Sequence, residues 1–527
     1  MTAGYCPNTS DYLLARAALE DVALVADGEY CTYGQLRKAA GRLAAGLAAL
    51  DLPPGSRVGV LGPNSLFWVA AYLAVMKLGH IAVPFSDKLT PDAVRRNAGI
   101  AGCAAVFADR RAARRFPVAL GSGLPVLTDE ALRSSREPYW PSPVPVDPGA
   151  DAVLMFTSGT TSQAKAVRVT HGNIKANTDS IIEYLGLRSD DRVLAILPFY
   201  YCYGASLLHT HLRRGARVVL CNSFVFPETA LDVLEREECT VLAGVPSSFQ
   251  LLLRASTFVQ RALPSLRLIQ QAGGKLPPVL IEELMAARPA AQLFVMYGQT
   301  EATARLSYLP PERLRDKAGS IGKGIPGVQL RVLNEAGEPA APGERGEIYA
   351  VGANISPGYH ADPEGSAAKF TPYGLRTGDL AVVDEDGYIF IVDRRDDFIK
   401  SWGHRVSSQE VEAAALRMAQ LVSAAAVGVP DDEAGEAVTL FVAVRPGAQV
   451  SPDEVLAMCR RHLPKYMVPR SVLLLDSLPL NANGKIAKSR LREMAAARMA
   501  APVMHAVTLA GRRGEMPDNA GPIPLER

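Results

Sequence analysis

The residues best equipped for chemistry lie between Phe156 and Val167, in the run FTSGTTSQAKAV. A β-type stretch, AVLMF, runs straight into Thr157, Ser158, Gly159, Thr160, Thr161 and Ser162, and the cation Lys165 follows. Hydroxyls, backbone N–H groups and one ammonium together make a cradle for phosphate oxygens. The spacing is not that of a Walker A loop, because no Gly-Lys pair follows Gly159 as that loop requires. A solvated polar loop is the bland alternative for any Ser/Thr cluster, and its place at a strand end argues against it.

These residues need a scaffold. Six short β-rich runs end at Gly or Pro: RVGVLG from Arg57, AVLMFTSG from Ala152, RVLAILP from Arg192, TVLAGVP from Thr240, LRLIQQAGG from Leu266 and QLFVMYG from Gln292. Between them lie helical spacings such as Leu36, Ala40, Leu43, Leu47 and Leu50. Strands alternating with helices imply parallel sheets covered by helices. Ligands then collect past the carboxyl ends of the strands, so the terminal turns are expected to form one site. After YIFIVDRRDD the pattern changes to short β pairs and helices, which read as a compact α+β domain of about 100 residues. The expectation is an α/β protein with a large N-terminal domain over 1–394, a hinge at 395–396, a small C-terminal domain over 397–497 and a disordered tail over 498–527.

Composition excludes several classes. The 56 Lys+Arg and 54 Asp+Glu leave a charge of +2, so no net field favours nucleic acid or an anionic membrane. No apolar run reaches the length of a membrane span, and the first 30 positions lack the order of a secretion signal. Seven cysteines without a CxxC pair fit neither a disulfide framework nor a zinc site, and a cytoplasmic location is expected. His209 and His211 form an HxH pair with no third ligand in reach. Gly322 to Gly327 matches GxGxxG, but a charged turn precedes it and Pro326 would remove a donor from any helix start.

Five segments in this order resemble the motifs of the ANL superfamily, the adenylate-forming acyl-CoA synthetases, carrier-protein adenylation domains and luciferases. TSGTTSQAK is similar to its phosphate loop, YGQTE at Tyr297–Glu301 to its adenine and magnesium motif, and RTGD at Arg376–Asp379 to its ribose motif. DRRDDFIKSWGHRVSSQEVE is similar to its hinge and thiolation segment, and NGK at Asn483–Lys485 to its mobile lysine. The resemblance covers about residues 30 to 495. It implies that Thr157, Ser158, Gly159, Thr160, Thr161 and Lys165 hold phosphate, that Tyr297 stacks on adenine beside Gly274, and that Asp379 and Arg394 take the ribose. Thr300 then donates to the α-phosphate, and Glu301 holds Mg²⁺. Tyr201 and Gly273 border the acyl group, Lys485 supports adenylation, and Asp396 is the hinge. After the swing, Lys400 serves the thiol-transfer face and Gly403 lines the pantetheine tunnel.

The implied reaction uses ATP and Mg²⁺ to join a carboxylic acid to the thiol of CoA or of a carrier-protein phosphopantetheine, through an acyl-AMP. The phosphate loop departs from the commoner family pattern at Ser162, Ala164 and Ala166, where Gly, Pro and Gly are usual. YGQTEATARLSYLPPE is closer to bacterial fatty-acyl ligases than to aryl ones, and an aryl-acid or β-amino-acid ligase is the alternative within the class. A non-catalytic nucleotide-binding scaffold is the alternative outside it. Pro198 to Gly204 contains no Asp to receive an α-ammonium, and Phe199, Tyr200, Tyr201 and Tyr203 are expected to wall the acyl site, so α-amino acids should be rejected.

Overall fold

The computed structural model describes residues 6–117, 123–133, 137–143, 145–157, 164–222, 224, 226–394, 398–431 and 433–500, with backbone only at 393, 394, 499 and 500. Of the expected features, most of the phosphate loop (158–163), the hinge (395–396) and the tail from 501 lie outside these residues. The start of the expected tail, 498–500, is instead the end of a helix, Lys488–Ala500, because KSRLREMAAARMA contains no helix breaker.

All six expected strands form. Arg57–Leu61 and Asp151–Phe156 belong to a six-stranded sheet, which is parallel except where Ala166–Thr170 folds back on Asp151–Phe156. The other four, Gln292–Tyr297, Leu268–Gln271, Val241–Gly244 and Arg192–Ala195, are consecutive parallel neighbours in a nine-stranded sheet. The helix Leu66–Lys77 is buried on every side, as its almost wholly apolar sequence LFWVAAYLAVMK requires. Its one charge, Lys77 Nζ, meets Asp11 at 2.6 Å. The helix read from Leu36 onward runs Tyr33–Ala48 and begins with a Thr32–Gln35 capping box, whereas Leu50 falls in the turn that follows.

A third, antiparallel sheet is built from Val328–Leu333, Gly346–Gly352, Phe370–Thr371, Gly374–Val383 and Ile389–Arg394. The C-terminal part carries its own five-stranded sheet, with Leu421–Asp431 and Gly435–Val444 at its centre and helices Ser408–Ala415, Pro452–His462 and Lys488–Ala500 around it. Apolar side chains from Phe249, Leu253 and Ile281 pack in one cluster with Leu416, Leu421 and Leu440, so the two parts share a core. Arg254 crosses the junction. Its guanidinium donates to the carbonyls of Leu416, Met418 and Leu421 and pairs with Glu283 at 2.5 Å.

The GxGxxG match at Gly322 forms no dinucleotide site: Lys323–Gly324 is a two-residue strand antiparallel to Ser307–Leu309, and no helix starts after it. The HxH histidines are both packed, with His209 Nε2 2.9 Å from the Tyr72 hydroxyl and His211 Nδ1 2.8 Å from the Leu207 carbonyl.

Candidate active site

Four adjacent parallel strands of the nine-stranded sheet end at one place, which is why residues more than a hundred positions apart meet there. Tyr297 ends one strand, Gly273 follows the next, Val245 the third, and Tyr201 comes just after the fourth. Gly273 has φ +88°, a conformation that side-chain-bearing residues rarely adopt. A Cβ there would also lie 2.9 Å from Val245 Cγ1, 3.3 Å from Lys485 Cε and 3.4 Å from Tyr201 Oη. The backbone is therefore bare where three groups close in. A Cβ on Gly274 would meet Pro246 Cγ at 3.2 Å.

Lys485 enters from the C-terminal part on a tight turn. Asn481 Oδ1 accepts from the amides of Asn483 and Lys485, Asn481 N donates to the Lys485 carbonyl at 2.7 Å, and Gly484 takes φ +77°. Two hydroxyls of the large part clasp this turn. Tyr200 donates to the Ala482 carbonyl at 2.7 Å, and Ser247 donates to the Gly484 carbonyl. So held, the Lys485 ammonium lies 5.5 Å from the centre of the Tyr201 ring.

The YGQTE segment turns the chain through a short 3₁₀ stretch, Thr300–Ala302, after the strand ends. Glu301 is buried, and its Oε1 accepts from the Tyr359 hydroxyl at 2.7 Å. Burial, and then the Glu301 charge, push the Tyr359 hydroxyl well above its ordinary pKa, so it stays a donor. No basic side chain pairs with Glu301 among the described residues. A buried carboxylate with no basic partner among the described residues suits a Mg²⁺ ion, which Glu301 could hold. Mg²⁺ there would neutralise phosphate charge. The Thr300 hydroxyl points toward Cys202 Sγ, 3.5 Å away, and burial raises that thiol.

Asp379 is buried on the strand Gly374–Val383, directly across the ladder from Arg394, so the two ribose candidates share one rung. The Tyr297 hydroxyl donates to Asp379 Oδ2 at 2.5 Å, which joins the adenine and ribose motifs through one hydrogen bond. Lys165 pairs with Asp362 at 3.0 Å and sits 4.6 Å over the Tyr359 ring; its ammonium draws the Asp362 carboxyl below the ordinary range. Thr157 N donates to the Lys165 carbonyl, closing the base of the loop whose tip, Ser158 to Thr161, lies outside the described residues. Asp396 lies outside them as well.

Lys400 and Gly403 are not part of this centre. They belong to the hairpin Phe398–Ser407, whose contacts run to Glu436, Ala434 and Tyr466. Gly403 has φ +74° and open space around its Cα.

Two expected wall residues are engaged otherwise. Phe199 is packed against Trp68, and the Tyr200 hydroxyl holds the Ala482 carbonyl of the Lys485 turn. Sequence reasoning missed Tyr359, Asp362, Gln270 and Arg305. Tyr359 and Asp362 lie far along the chain from their partners Glu301 and Lys165. Arg305 did carry a signal: a charge in the otherwise uncharged run ATARLSYL.

The candidate centre lies at the carboxyl ends of parallel strands and is reached by a lysine from the C-terminal part, an arrangement suited to an AMP-forming acid–thiol ligase. The comparisons agree. The family model described as AMP-binding enzyme matches residues 14–360, and that of its C-terminal domain matches 410–485. The chain belongs to the AMP-binding enzyme family, and its fold is that of the ANL superfamily. It is 32% identical over 482 residues to a feruloyl-CoA synthase of an Amycolatopsis species, covering 91% of this chain and 96% of the relative. A 2-succinylbenzoate–CoA ligase of Bacillus pumilus is 32% identical over 488 residues, with 92% and 97% covered. The o-succinylbenzoate CoA synthetase of Bacillus subtilis, solved with its acyl-adenylate, superimposes with a TM-score of 0.81 at 28% identity, covering 93% of this chain and 98% of that one. This chain thus uses ATP and Mg²⁺ to activate a carboxylic acid as its acyl-AMP and passes the acyl group to CoA. No helix among the described residues is long and apolar enough to cross a membrane.

Proposed function

We propose that Lys485, Thr300, Glu301 and the 157–165 loop carry out adenylation, with Tyr201 and Gly273 bordering the reacting carboxylate. The observation that supports this most is Lys485 lying against Gly273 and Tyr201 while its turn is clasped by Tyr200 and Ser247. A carboxylate oxygen attacks the α-phosphorus, the bond from α-phosphorus to the bridging oxygen breaks, and pyrophosphate leaves. The Lys485 ammonium and the Thr300 hydroxyl stabilise the charge that builds on the phosphate oxygens, and such preorganised donors are a large share of catalysis in phosphoryl transfer. Tyr297, Asp379 and Arg394 position the nucleoside.

The second step needs the other face. The C-terminal part, 397–497, swings on a hinge at 395–396 and replaces the Lys485 turn with the Lys400–Arg405 hairpin. The thiol sulfur then bonds to the acyl carbon, the bond to the AMP oxygen breaks, and the thiol proton is released. Gly403, with no side chain to obstruct, admits the pantetheine arm. A carrier-protein phosphopantetheine presents the same thiol and would use the same path. None of the seven cysteines is in a disulfide, which fits a reducing cytoplasm.

The acid is one without an α-ammonium. The segment Pro198–Gly204 contains no carboxylate residue, and Arg305, over the Tyr203 ring, would repel an ammonium. The feruloyl and succinylbenzoate relatives favour a ring-bearing acid over a simple fatty one. An acid panel read by carboxylate-dependent pyrophosphate release tests this. Non-amino acids should exceed every proteinogenic amino acid by at least about tenfold. An amino acid as the best substrate would overturn the reading.

A further inference from the structure

Two buried arginines in this protein are treated differently. Arg254, 4% exposed, has its guanidinium satisfied by Glu283 and three carbonyls. Arg305, 2% exposed, has no carboxylate partner among the described residues; its side chain hydrogen-bonds the Tyr184 hydroxyl, but its Nε and Nη2 have no hydrogen-bond partner there. A buried cation without a counter-charge is costly, and the face of an aromatic ring returns only part of that cost. Arg305 lies 4.0 Å over the Tyr203 ring. Its position is fixed by backbone: its carbonyl accepts from Asn177 and Asn354, and its Cα lies only 2.8 Å from where a Cβ on Gly298, within YGQTE, would sit.

A second orphan lies beside it. Gln270 is 1% exposed, and neither its Oε1 nor its Nε2 has a partner. Side chains alternate along a strand. Leu268 and Ala272 share a cluster with Tyr203 while Ile269 joins another, so Gln270 points to the Tyr203 side of the sheet. The Tyr203 hydroxyl confirms the proximity by donating to the Gln270 carbonyl at 2.7 Å. Cys202 links the orphans to the reacting centre: it neighbours Tyr203 in the chain, receives the Thr300 hydroxyl and feels the charges of Lys485, Arg305 and Glu301. The unsatisfied donors thus gather around Tyr203, two residues along the chain from Tyr201.

We propose that the acid this enzyme activates carries a second carboxylate, distal to the reacting one, which is held by Arg305 with Gln270 as its neighbour. This rests on the acid-activation reading above. Guanidinium is the side chain best matched to a carboxylate, which it grips through two parallel N–H donors, and the Gln270 amide supplies a third. The same cation explains why an ammonium would be refused.

The test uses the full chain and ATP–pyrophosphate exchange with matched acids. One series pairs straight-chain α,ω-diacids with monoacids of equal length. A second pairs benzoates bearing a carboxylated side arm with the same ring bearing a neutral oxo arm. The diacid should exceed its matched monoacid and oxo acid in kcat/KM by at least about tenfold at the fitting length. Arg305→Met should reverse that preference, Arg305→Lys should restore part of it, and ATP binding should be unchanged in both. Where Arg305→Met fails to fold, Gln270→Met and the wild-type panel decide alone, with a diminished diacid preference expected. Exchange in which monoacids or oxo acids match or surpass diacids overturns the proposal while leaving acid activation intact. Exchange with no acid at all, by a chain that binds ATP, overturns acid activation and the proposal together.

Discussion

The clasp on the Lys485 turn gives a prediction that separates the two half-reactions. Tyr200 Oη to the Ala482 carbonyl and Ser247 Oγ to the Gly484 carbonyl are the hydroxyl contacts that hold this turn over Gly273. The double variant Tyr200→Phe, Ser247→Ala removes both donors and keeps the Tyr200 ring, so packing is little disturbed. A hydrogen bond of this kind contributes about 1 kcal/mol net, and more when a buried carbonyl is left without a donor. Two of them amount to about 2 kcal/mol, or roughly a thirtyfold shift away from the arrangement that presents Lys485. Pyrophosphate exchange with a good acid should fall by roughly ten- to thirtyfold. Thiol transfer from chemically prepared acyl-AMP, which needs the other face, should not fall, and a faster rate is expected if undocking limits it. Equal loss in both half-reactions would refute the argument, because it would show that the hydroxyls stabilise the protein generally. Unchanged exchange would refute it too, because the turn would then be held by the apolar junction and Arg254 alone.

Lys485→Ala should reduce acyl-AMP formation by roughly a hundredfold or more while CoA acylation from supplied acyl-AMP survives; equal loss in both would remove Lys485 from its role. Stability should also depend on pH in a stated direction. Burial pushes His171 and His211 down to about 4 and His209 to about 3. The folded chain resists protons that the unfolded chain accepts near 6.5, so stability is fully present above about 6.5 and declines as pH falls toward 4. Urea midpoints at constant ionic strength should drop across that window, and a flat profile would show that these imidazoles are reached by solvent.

The order of strands and helices was legible in the sequence because it is written locally. RVGVLG, RVLAILP, TVLAGVP and QLFVMYG each combine β-rich runs with a Gly or Pro stop, and no distant residue is needed to read them. Glu301, Asp379 and Lys485 stood out for a different reason: each lies in a short segment that resembles a motif of the adenylate-forming family. What no window of sequence contained was the meeting of elements. Gly273, Val245, Tyr201 and Tyr297 converge because their strands are neighbours in the order 292–297, 268–271, 241–244, 192–195, which chain order does not state. Tyr359 supports Glu301 only once the segment carrying it packs under YGQTE. Phe199 and Tyr201 look equivalent in PFYYCYG, yet the turn sends one toward Trp68 and the other to Gly273. Arg305 is the sharpest case. In ATARLSYL it is a lone charge in an uncharged run, and only burial without a counter-ion, a property of the packed chain and not of the residue, turns it into a candidate ligand for the substrate.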